Sequence, residues 1–75
     1  MERYKNLSGN SSVAEYKIVK DSVTIRFATH SVYIYSNQSA GMDNVSKMKA
    51  LAVAGKGLGT FITANVKDGF ARKIR

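Results

Sequence analysis

The chain has 75 residues, no cysteine and one histidine, and its 12 Lys and Arg against five Asp and Glu give a net charge of +7. That is one small domain, of which folding buries only about 60% of the unfolded surface, without disulfides or thiolate ligands and with too few other donors for a zinc site. The charge favours polyanions through long-range attraction and counterion release, although a net charge of about 2–8 is also what solubility alone asks of a small domain.

In chain order, residues 1–11 are polar and include "NLSGNSS", a composition that predicts a flexible arm ahead of a domain over 12–75. "SVAEYKIV" (12–19) alternates in part, with Ala14, Tyr16 and Ile18 on one face, and is expected to be a strand. "KD" is a turn. "SVTIRFA" (22–28) alternates cleanly: Val23, Ile25 and Phe27 face one way, Thr24 and Arg26 the other. "THS" is the next turn, and "VYIYS" (32–36) is a third strand, apolar or aromatic enough for both faces to be covered. Such short strands and turns predict an antiparallel meander.

The period then becomes helical. Val45, Met48, Leu51 and Ala52 share one face of a helix over 43–54, with Asp43 or Asn44 as its cap and Gly55 as its exit. "GLGTFITANV" (57–66) reads equally as a short second helix or a strand. "KDG" is a turn, and "FARKIR" (70–75) reads as a terminal edge strand. The fold class expected is α+β, a three-stranded antiparallel meander on one main helix. Its predicted core is Tyr16, Ile18, Val23, Ile25, Phe27, Tyr33, Tyr35, Val45, Met48, Leu51, Phe61, Ile62 and Val66.

"LAVAGKGLGTF" (51–61) is the obvious candidate for a phosphate loop. A Walker A loop needs Ser or Thr after its lysine, and here Gly57 follows Lys56. A dinucleotide fingerprint needs a βαβ unit, and none is present. Two readings remain: an anion-binding turn built on Gly55, Gly57 and Gly59, or a tight helix exit. Tyr33 and Tyr35, two residues apart on one strand, are either core aromatics or a platform on which bases stack. His30 reads as a surface turn residue, and the five acids form no closely spaced pair. The basic tail, Lys67, Arg72, Lys73 and Arg75, is either a backbone contact for nucleic acid or an edge strand protected by charge. No catalytic set and no cofactor are expected.

Several of these segments come in a familiar order. "VTIRF" (23–27), "VYIY" (32–35), "ALAVAGKGLGTFI" (50–62) and "ARKI" (71–74) together resemble the KTSC domain, a small domain named for its occurrence at the C-terminus of some lysyl-tRNA synthetases. The resemblance spans roughly residues 12–74. It departs at Gly57, where the family tends to have Ser in an S-x-G motif. It implies an RNA-binding role and no established catalysis. Such domains also occur in phage and mobile-element proteins.

The function expected is therefore a nucleic-acid-binding module, RNA more than DNA, in which Arg26, Lys56, Lys67, Arg72, Lys73 and Arg75 meet phosphates. The alternative is a small phage-type protein that binds and inhibits a host protein or sequesters a nucleotide. The N-terminal "MERYKNLSGNSSV" lacks the apolar core of a signal peptide, and no run of roughly 18 apolar residues occurs. A cytoplasmic location, no membrane partner and a possible homodimer are expected.

Overall fold

A computed structural model describes residues 1–7, 9, 11–66 and 69–75. The alternating segments form an antiparallel sheet of five strands in sequence order: β1 (Glu2–Arg3), β2 (Val13–Val19), β3 (Ser22–Phe27), β4 (Val32–Ser36) and β5 (Arg72–Lys73). The meander of three central strands is as the sequence predicts. Each of its edges carries one further two-residue strand. The C-terminal strand pairs through Tyr33↔Lys73 and Ile34↔Arg72.

The turn between β3 and β4 explains His30. Phe27 N–H donates to Ser31 O at 2.8 Å and His30 N–H to Phe27 O at 2.8 Å, closing a three-residue loop whose last residue is left-handed, with His30 at φ 71°. Such loops place their third residue there, and His tolerates the position better than most side chains.

The helical layer has three parts: α1 (Asn37–Ala40), α2 (Met42–Ala54) and α3 (Leu58–Phe61), the last running on into a π-helical turn, Ile62–Val66. The region 57–66 is thus helical rather than a strand. The capping differs from expectation. Ser36 and Ser39 form a reciprocal capping box at the start of α1, at 3.1 and 3.0 Å. Gly41 stands at the start of α2 with no side-chain cap, and Asn44 Nδ2 donates instead to Ala40 O at 2.8 Å. Gly55 closes α2 in the left-handed region, its N–H donating to Leu51 O at 2.9 Å.

One face of the sheet meets these helices. Val23 and Ile25 are fully buried against Val45, Met48, Ala52, Leu58, Ile62 and Val66, and Tyr35 joins them at 1% exposure. Ile18 is the exception in the predicted core. By register it shares the face of Val23, yet it is 44% exposed because α2 packs chiefly on β3 and β4 and does not cover this end of β2.

The N-terminal segment is not a loose arm. Tyr4 is buried at 3%, and its hydroxyl accepts a hydrogen bond from Leu58 N–H at 3.2 Å. Leu7 N–H donates to Gly55 O at 2.7 Å. An added Cβ on Gly55 would lie 2.7 Å from Lys5 Cβ, so this glycine both ends the helix and lets the N-terminal segment cross its end. A single tyrosine within a polar stretch gives no periodic signal, which is why composition reads it as loop.

Candidate nucleic-acid interface

Residues directly opposite in an antiparallel sheet share a face, and neighbours along a strand alternate. Register therefore sorts the charges. Arg3, Glu15, Arg26 and Val32 lie opposite one another in one row across β1 to β4. Lys17, Thr24, Ile34 and Arg72 form the next row across β2 to β5. Both rows occupy the face turned away from the helices. Cations from four strands thus share one surface with a single acid among the described residues, Glu15, over a width of about 19 Å at the usual strand spacing.

Arg3, Lys17 and Arg72 are exposed, and Arg26 and Thr24 are half-buried. Arg26 is held in place: Nη1 donates to Glu15 Oε1 at 2.5 Å, and Nη2 lies 3.1 Å from His30 Nδ1. At 36% and 30% side-chain exposure the ion pair contributes about 0–1 kcal/mol. Its larger consequence is orientation. A guanidinium carries five N–H donors in a fixed plane, so these contacts fix that plane and leave donors for a ligand.

The predicted site residues divide into separate places. Arg26 and Arg72 are on the open face. Lys73 shares the opposite face with Tyr33, its Nζ 5.7 Å from the ring centroid, a cation–π contact of about 0.5–1 kcal/mol where exposed. Arg75 has an exposed side chain, and its carbonyl anchors the tail by accepting from Val32 N–H at 3.2 Å. Lys56 is exposed at the exit of α2, in the helical layer and away from the open face. Lys67 lies outside the described residues. Arg3 and Lys17 belong to the open face although the sequence reading does not select them. The alternation of Glu15 and Lys17 with Ala14, Tyr16 and Ile18 carried the signal for the second, whereas Arg3 fell in the segment read as an arm.

Two proposed roles need correction. Tyr35 has no ring face for a base at the surface: it is 1% exposed and packs against Tyr33 and Phe70, with centroids at 6.4 Å from each. The three glycines do not make one anion cradle. The N–H of Gly55 is bonded to Leu51 O and that of Leu58 to the Tyr4 hydroxyl. Gly55 is buried against Lys5, while Gly57 and Gly59 line a cavity of about 410 Å³ with Ser11, Ser12, Thr60 and Thr63. A Cβ on Gly59 would stand 3.1 Å from Ser11 Oγ.

Beside that cavity is another of about 350 Å³, walled by Phe27, Tyr33, Tyr35 and Phe70 and by the hydroxyl residues Thr29 and Ser31; Ser12 and Thr63 line both. Among the described residues no group of three or more His, Cys, Asp or Glu could hold a metal ion, and no helix is long and apolar enough to cross a membrane. No protein-family model matches the sequence, and no match was found among curated proteins or solved structures.

Proposed function

We propose that this protein is a non-catalytic module that binds single-stranded RNA across the open face of its sheet. One observation carries the reading. Basic residues scattered along the sequence, Arg3, Lys17, Arg26 and Arg72, share one solvent-facing surface with a single acid among the described residues. Neutralising phosphates with such a surface releases counterions and needs no base readout. Arg26, with its plane fixed by Glu15 and His30, offers a flat guanidinium on which an unpaired base can stack. The net charge of +7 adds long-range attraction, and the RNA-binding role implied by the resemblance to the KTSC domain points the same way.

A filter-binding titration with single-stranded RNA at two salt concentrations tests the reading. About four phosphate contacts predict that log affinity falls with log salt at a slope of about −3. Affinity that is absent, or indifferent to salt, removes the idea.

A second reading has its own observation. Beyond Tyr16 the outer edge of β2 is unpaired among the described residues, and Ile18 and Val19 are exposed there at 44% and 39%. Such an edge suits a protein partner, as a phage-type inhibitor of a host protein would require. A partner retained from nuclease-treated lysate and lost on Ile18→Lys would favour it over RNA.

A further inference from the structure

The two adjoining cavities on the helix-covered side differ in chemistry. One is walled by aromatic rings: Tyr33 packs T-shaped with Phe27 at 5.6 Å and with Phe70 at 4.7 Å between centroids. The other is walled by hydroxyls and by backbone at Gly57 and Gly59. Ser12 and Thr63 stand at the seam, and no charged side chain among the described residues lines either cavity.

A cavity of rings suits a planar ring, which can pack against faces or edges of its walls. A neutral hydroxyl-lined cavity suits a group that itself donates and accepts hydrogen bonds. It disfavours a buried carboxylate or ammonium, which would lose hydration without a counter-charge. Lys73, exposed and with its Nζ over the Tyr33 ring, supplies an ammonium for a charged group that stays in solvent. Together the volumes fall in the range of small-molecule sites. Planar ring, polyhydroxyl body and solvated anion are the parts of a nucleotide.

We propose that this double groove binds one unstacked ribonucleotide, with its base against Tyr33 and its ribose against Ser12, Thr60 and Thr63. Where that nucleotide belongs to a strand, the proposal rests on the RNA reading above and adds to it a site for one base. A free mononucleotide presents the same chemistry.

Amide NMR spectra of the labelled full chain, titrated with ribonucleoside monophosphates and separately with short single-stranded RNA, test it. Saturable shifts at Ser12, Tyr33, Gly59 and Thr63 are expected from at least one ligand. Thr63→Trp fills the seam from an exposed position and should abolish them; Thr63→Val, which keeps the bulk and removes the hydroxyl, should weaken them. If the occupant is part of a strand, Thr63→Trp also lowers RNA affinity about fivefold or more, the least that one stacked base contributes. If monophosphates shift these amides while RNA affinity is unchanged, the occupant is a free nucleotide. The proposal is overturned if both ligands leave the groove amides unmoved. Shifts confined to Lys17, Thr24 and Ile34 would give that result while leaving the open-face reading intact. Groove shifts with no effect of Arg26→Gln or Arg72→Gln on RNA affinity would do the reverse.

Discussion

Ile25 and Arg26 are adjacent in β3, yet Ile25 is fully buried against α2 while Arg26 stands half-exposed on the far side of the sheet, bonded to Glu15 and His30. The same contrast runs across the sheet. On the helix side, every position must fill space and exclude water. On the open side, Val32 is buried and Ile34 half-buried, but the backbone ladder holds the charged side chains in register while they contribute little to stability. That freedom is what allows cations from four strands to collect there, and it separates the residues that make the fold from those proposed to bind.

The contrast can be broken most forcefully on the helix side. Ile25→Ala removes a fully buried side chain and should cost about 2–5 kcal/mol, measured by denaturant unfolding. A domain of this size has a total stability of about 4–11 kcal/mol, so this loss is a large share of the total. A loss as small as that of an open-face substitution would refute the two-sided account.

The next effect is at Tyr4. Tyr4→Phe keeps the ring and removes the acceptor for Leu58 N–H, leaving a buried donor unpaired at a cost of about 1–3 kcal/mol. Gly55→Ala should follow at about 1–2 kcal/mol, because φ is +80° and the new Cβ meets Lys5. It should also speed hydrogen exchange at the Leu7 amide, which bonds to Gly55 O. If exchange at Leu7 is unchanged, the N-terminal segment is not held by this crossing.

The central meander, the main helix and its glycine exit were legible in the sequence because each has a repeating signal: period two over 22–27, helical spacing over 45–52, and a glycine where the helix must stop. The N-terminal strand was not, since Tyr4 acts alone and its partner, Leu58, is distant in sequence. The caps were missed because the chain begins its helical layer earlier, at the Ser36–Ser39 box, and relays through Gly41. The candidate interface was half legible. Strand alternation separates Arg26 from Ile25, but only pairing register brings Arg3, Lys17 and Arg72 beside it. The same register sends Lys73, the neighbour of Arg72, to the other side of the sheet, so the basic tail does not act as a block.

The smallest stability effects belong to the open face. Arg26→Gln and Arg72→Gln should each change unfolding free energy by no more than about 1 kcal/mol, since neither residue is buried. Their effect is expected in binding. The salt dependence of RNA affinity, measured side by side for the wild type and the Arg26→Gln/Arg72→Gln double variant, tests the central claim most directly. Removing two phosphate contacts should make the slope of log affinity against log salt shallower by about 1.4, with folding intact. Equal slopes for the two proteins would contradict the account.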